Sequence, residues 1–113
     1  MIDPRNDQFL ETYMILRKCL LLRLELPYDL PELHDPETIG SHYRAVIDAY
    51  LHLPDLPGDG DAKYFIGELM LKWLTGIEMY RRYLREGSAW YADAADMMLT
   101  AFESTWGIFD NLE

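Results

Sequence analysis

Between positions 9 and 26, apolar residues recur at helical spacing on more than one side of the same segment. Phe9, Tyr13, Leu16, Leu20 and Leu24 form one stripe, with the spacing a core-facing helix requires. Leu10, Met14 and Leu21 form a second stripe beside it, and Ile15, Cys19, Leu22 and Leu26 a third on the other flank. Only Glu11, Thr12, Arg17, Lys18, Arg23 and Glu25 interrupt this apolar surface. A helix apolar nearly all round is buried nearly all round. Three further short helices leave part of it uncovered, so the pattern predicts contact with another polypeptide. Leu10, Met14 and Leu21, joined by Arg17, are the residues expected at that contact. Two-fold pairing is the commonest way to cover such a stripe, so a homodimer is expected.

The rest of the chain reads as three more helices. Asp3 before Pro4 is an N-cap followed by proline at the first helical position, opening a helix over 4–26 that stops before Pro27. Pro27 to Asp35 reads as a loop or short turn. Asp35 and Pro36 repeat the start signal for a helix over 36–52, with Ile39, Tyr43, Val46 and Tyr50 on its apolar face. Residues 54–61 are too dense in proline and glycine for regular structure, and Asp61 can cap the next helix. That helix spans 62–86, carries Phe65, Leu69, Trp73, Ile77, Tyr80 and Leu84 along one side, and stops at Gly87. Arg81, Arg82 and Arg85 in its last turns complement the helix dipole. Ser88 caps a fourth helix over 89–109, whose inner face is expected to hold Tyr91, Ala94, Ala95, Met98, Ala101, Phe102 and Phe109. No segment alternates as an exposed strand does. The expected fold is all-α, a small bundle of four helices.

Length sets this as one domain, since halves of a 113-residue chain would bury too little core. Half of the residues are hydrophobic, which makes the chain globular. Charge sharpens the reading, because 20 acids against 10 bases leave −10. Such an excess repels phosphate backbones and anionic lipid, so no direct binding to nucleic acid or membrane is expected, and a basic partner surface is favoured. The single cysteine excludes an internal disulfide and suits a reducing compartment. The opening residues do not read as a signal peptide, and charges within the apolar run prevent it from spanning a bilayer. The expected location is the cytoplasm.

Candidate chemistry is sparse. His34, His42 and His52 are the histidines, and no glutamate stands three residues before a helical histidine as di-iron bundles require. Asp48 and His52 are four apart and could share a ligand face, although such pairs are more often surface hydrogen bonds. The acidic loop with Asp55, Asp59, Gly60 and Asp61 fails as a calcium loop, because Ile66 stands where a bidentate glutamate is needed. No catalytic set, metal site or cofactor is expected. Gly67 and Gly76 inside the third helix suggest a close approach by a neighbouring element, with the nearby Trp73 and Tyr80 expected to need small partners beside them. Tyr83, Trp90 and Trp106 lie off the core stripes and are candidate interface anchors.

After Arg85 no basic residue remains, while Asp93, Asp96, Glu103 and Asp110 make the last helix acidic. Asp96, Glu103 and Asp110 are seven apart and share a face at intervals of ~10 Å. Two functions follow from these features. The first is a non-enzymatic regulator or inhibitor of the anti-activator, immunity or host-takeover type, docking stoichiometrically on a partner protein. The second is a nucleic-acid mimic blocking a nuclease or DNA-binding protein, although DNA spaces its charges more densely than this helix does. A helical enzyme or metal carrier is a third class without a motif to support it.

Overall fold

The first helix begins where its cap chemistry places it. The Asp3 carboxylate accepts the backbone N–H of Arg5 at 2.9 Å, and its carbonyl accepts that of Asn6 at 3.0 Å. These bonds satisfy donors that a helix N-terminus otherwise leaves open. The computed structural model describes residues 3–23, 39–56 and 60–111, and the side chains of residues 20–23, 39–41, 109 and 111 lie outside that description. Among the described residues the fold is all-α: α1 (Pro4–Arg23), α2 (Ile39–His52), α3 (Gly60–Glu86) and α4 (Ala89–Asn111), with a 3-10 turn at Leu53–Asp55. The expected extension of the first helix to 26, the loop after Pro27, the Asp35–Pro36 start and His34 fall outside the described residues.

The boundaries of α3 and α4 differ from the sequence expectation by two residues. α3 starts at Gly60 with Asp61 inside its first turn, where the carboxylate faces the positive end of the helix dipole. α4 runs on to Asn111, because no glycine or proline stops it after residue 109. The turn between them closes as expected. Gly87 adopts φ +73°, and its N–H donates to the Tyr83 carbonyl at 2.7 Å. Only glycine takes that left-handed conformation without a Cβ penalty.

α3 is the central rod. α4 folds back along it, with Tyr91 level with Arg82 and Thr105 level with Lys72. α1 also runs antiparallel to α3: the Tyr80 hydroxyl donates to the Asn6 side-chain carbonyl at 2.8 Å, and the Trp73 indole N–H donates to the Phe9 carbonyl at 3.0 Å. α1 and α4 therefore lie parallel, joined where Arg5 meets Asp96. α2 covers a third side of α3, with Tyr43 under Arg81 and Leu53, just past its end, against Gly67.

The core forms where these helices meet. Phe9, Tyr13 and Leu16 from α1 pack with Leu69, Trp73, Ile77 and Tyr80 from α3 and with Ala95, Leu99 and Phe102 from α4. Phe9 stacks on Tyr80 with centroids 5.4 Å apart. Both glycines inside α3 mark close approaches. A Cβ on Gly76 would lie 2.9 Å from the Phe9 ring and 3.1 Å from the Met98 Cβ, and one on Gly67 would lie 3.2 Å from Leu53. The neighbours that need the space are thus Phe9, Met98 and Leu53, not the adjacent Trp73 and Tyr80.

Two positions and one stripe depart from the expected faces. Thr12 is buried, because its hydroxyl donates back to its own helix, with the Gln8 and Phe9 carbonyls each at 2.9 Å. Leu84 is exposed, since α1 begins level with Tyr80 and the last turn of α3 runs past it. The buried stripe of α4 is Ala92, Ala95, Leu99, Phe102 and Thr105, rotated from the expected one so that Ala94 and Ala101 are only half-buried.

Candidate docking surfaces

Part of the apolar surface expected on α1 is covered by this chain itself. Leu10 is 6% exposed, and Leu16 and Cys19 are buried in the core that α3 shares, while the side chains of residues 20–26 lie outside the description. Leu10 therefore cannot anchor another molecule from this fold, which corrects its expected role. Met14 does reach solvent at 50% exposure, with Arg17 half-buried one turn further on. The Leu21 side chain lies outside the described residues.

The aromatic candidates separate in the same way. Trp90 is exposed at the start of α4, stacked on Tyr91 with centroids 4.0 Å apart. Tyr83 lies beneath the Arg5 guanidinium, 5.5 Å from ring centroid to Cζ, and is half-buried by it. Trp106 packs against the core. Of the three, Trp90 alone presents a large aromatic surface.

Arg5 is a hub that the sequence pattern did not single out. Its Nε and Nη2 donate to the two Asp96 carboxylate oxygens at 2.8 and 3.0 Å, while Nη1 donates to Asp3 at 3.1 Å. The Asp96 hydrogen bonds hold the guanidinium pKa above its ordinary value against the opposing cost of burial, with the charges of Asp96 and Asp3 adding to the rise. The two-pronged geometry ties the N-terminus of α1 to α4. It also corrects the expected row of free acids. Asp96 is neutralised, leaving Glu103 and Asp110 of the heptad-spaced three exposed and without a cation.

The remaining charges divide by side. On the exposed surfaces of α1 and α4, Asp7, Glu11, Asp93, Glu103 and Asp110 form no ion pair among the described residues, and Lys18 is an exposed cation on the same stripe of α1 as Glu11. On α3, Glu68 pairs with Lys72 at 3.2 Å and Glu78 with Arg82 at 3.1 Å, both one helical turn apart. Lys72 also reaches across to the Thr105 hydroxyl. α1 and α4 thus carry an excess of unpaired carboxylates, whereas Glu68 and Glu78 on α3 are neutralised within their own helix.

The large exposed apolar residues follow a pattern the sequence reading missed. Tyr64 and Leu71 on α3, and Trp90, Met97 and Ile108 on α4, are all exposed, and Met97 reaches 72%. Tyr64 and Leu71 are seven apart, on the same stripe as Thr75 and Arg82, opposite the Trp73–Tyr80 side that meets α1. Trp90, Met97 and Ile108 share one stripe of α4 with the half-buried Ala94 and Ala101. Both stripes lie on the side of the α3–α4 hairpin turned away from α1. The signal lies in the sequence as apolar residues at helical spacing off the core stripe, of which the sequence reading singles out Trp90 alone.

The two described histidines have local surroundings. His42 is buried with its ring 4.4 Å from that of Tyr13. The His52 Nδ1 donates to the Asp48 carbonyl at 2.8 Å, so that pair is a local helix bond. Among the described residues no three His, Cys, Asp or Glu side chains gather to hold a metal ion, and no helix is long and apolar enough to cross a membrane. Neither a family model, nor a curated protein, nor a solved structure matches this chain.

Proposed function

We propose that this protein is a non-enzymatic regulator or inhibitor that acts by stoichiometric docking on a partner protein with a basic surface. The supporting observation is the excess of unpaired carboxylates on α1 and α4, where Asp7, Glu11, Asp93, Glu103 and Asp110 form no ion pair among the described residues and Lys18 is the exposed base nearby. Met14 stands one turn from Glu11 and supplies exposed apolar area beside the charge. Apolar burial gives such a contact its affinity, while complementary charge raises the on-rate and selects the partner. The mimic reading is the weaker one, because Arg5 neutralises Asp96 and interrupts the row that would imitate a phosphate backbone.

The test uses the chain as bait in an extract of its native cells. A partner bound one-to-one is expected, with association slowed by raised salt. Changing Glu11, Glu103 and Asp110 together to their amides should slow association, and Met14→Asp should cost more affinity. Competition by DNA for the same site would replace this reading with the mimic. Binding that is indifferent to both sets of changes would remove the α1–α4 side from the function.

A further inference from the structure

We propose that the outward face of the α3–α4 hairpin is a two-fold interface between copies of this chain. The face is defined by Tyr64, Leu71, Trp90, Met97 and Ile108, five large apolar side chains held in solvent by rigid helices. Singly exposed apolar residues are ordinary, but a contiguous set on one side of a small chain marks an interaction surface.

Charge selects a second copy as the occupant. A chain with net −10 repels its own kind everywhere that its carboxylates are free. Along the middle of the hairpin face that repulsion is reduced, because Glu68 and Glu78 are each paired to a cation on the next turn and the free Asp61 and Glu86 stand at the two ends of α3. The acidic α1–α4 side would oppose self-association. A strongly basic partner, in contrast, would meet little unpaired charge on the hairpin face to attract it.

The dimensions suit a dimer as well. Helices of 27 and 23 residues give a face about 35–40 Å long and, at two helix diameters, about 20 Å wide. That offers roughly 700 Å² per copy, close to the ~800 Å² that each partner contributes in a standard interface. Laying α4 of one copy on α3 of the other also matches chemistry to chemistry. α3 and α4 are antiparallel, with Arg82 level with Tyr91 and Lys72 level with Thr105. The same levels carried across a two-fold axis parallel to the hairpin set Trp90 against Arg82, an arrangement that favours a cation–π contact, and bring Ile108 near Leu71. Rotating the copy end for end would instead set acidic flank beside acidic flank.

Sedimentation equilibrium on the full chain, over a wide concentration range and at low and high salt, tests this. A two-chain mass that persists at high salt is expected, because the interface is apolar. Met97→Glu changes the most exposed of the five side chains and leaves the core untouched, so the helical circular dichroism should be retained. It should raise the dimer dissociation constant by more than about tenfold. Ile108→Asp serves the same purpose if Met97→Glu does not fold. Met14→Glu on α1 should leave the mass unchanged. A one-chain mass for the wild type at high micromolar concentration would overturn the proposal. So would a dimer that ignores both hairpin changes or that dissociates with Met14→Glu. Partner capture through the acidic side is a separate readout, so the two proposals can fail independently.

Discussion

Replacing each of three helical glycines with alanine isolates the cost of the closest approach in the fold. In a helix interior, glycine to alanine contributes about 0.5–1 kcal/mol of stability through backbone entropy and propensity. At Gly107 on α4 nothing lies within 4 Å of the added carbon, so Gly107→Ala should show that gain in full. At Gly67 the added carbon meets the Leu53 Cδ2 at 3.2 Å, the far end of a flexible side chain, and a small shift should leave the change near neutral. At Gly76 it meets the Phe9 ring at 2.9 and 3.2 Å and the Met98 Cβ at 3.1 Å. Phe9 is wholly buried and stacked on Tyr80, and the Met98 Cβ is fixed to the α4 backbone, so neither can withdraw cheaply. Overpacking of this kind costs about 1–3 kcal/mol, which outweighs the propensity gain. Gly76→Ala should therefore be less stable than the wild type by about 1 kcal/mol or somewhat more. The span from Gly107→Ala to Gly76→Ala should be about 2 kcal/mol, or roughly 8 °C in midpoint for a chain of this length. Urea unfolding at one fixed protein concentration measures the series, since self-association would otherwise shift the midpoints. A Gly76→Ala protein as stable as Gly107→Ala would refute the close approach of α1 and α4 to α3.

Arg5→Gln and Asp96→Asn should each destabilise by roughly 0.5–1.5 kcal/mol, a range kept low by the partial exposure of the pair. The double change should cost clearly less than the sum, as a double-mutant cycle would register, and full additivity would mean that the two-pronged contact does not couple the helices. Burial pushes the Tyr13 and Tyr80 phenols up to about 12 from an ordinary 10, opposed at Tyr13 by Arg17 and reinforced at Tyr80 by Asp3. The folded state holds these protons longer than the unfolded state does. Their contribution to stability is therefore complete below pH 10 and is lost as pH rises from 10 towards 12. Ultraviolet titration of the phenolates should find two late groups in the folded protein, removed one at a time by Tyr13→Phe and Tyr80→Phe. Uniform titration near 10 with the helices intact would contradict the burial of both rings.

Helix identity was legible because it depends on local rules. Asp3, Gly87 and the 3.6-residue spacing of Phe9, Tyr13 and Leu16 act within one or two turns, and each behaves in the structure as its chemistry requires. The close approach at Gly76 was also legible, since a glycine inside a helix asks for a reason, but its partners were not. Phe9 is 67 positions away in the chain, and no local rule selects it over Trp73 or Tyr80. Arg5 escaped notice for the same cause: its main partner, Asp96, lies 91 residues distant.

The position of the exposed apolar surface on α3 and α4 has a more specific origin. Periodicity tells which side of a helix is apolar, but coverage depends on the length and direction of its neighbours. α1 has apolar stripes on several sides, yet Leu10, Leu16 and Cys19 end buried within this chain, while the side chains of residues 20–26 lie outside the description. α3 and α4 are the longest elements and pack mainly on each other, so the side of their hairpin turned away from α1 has no further helix among the described residues to cover it. Surplus apolar surface collects where the longest helices run out of neighbours, and here that is at Leu71, Met97 and Ile108. Free charge collects elsewhere by a parallel argument. Carboxylates one turn before a lysine or arginine on α3 are neutralised within their own helix, whereas α4 carries no basic residue to do this for Glu103 and Asp110. The sequence of α4 thus leaves one flank charged, with Glu103 and Asp110, and another apolar, with Trp90, Met97 and Ile108.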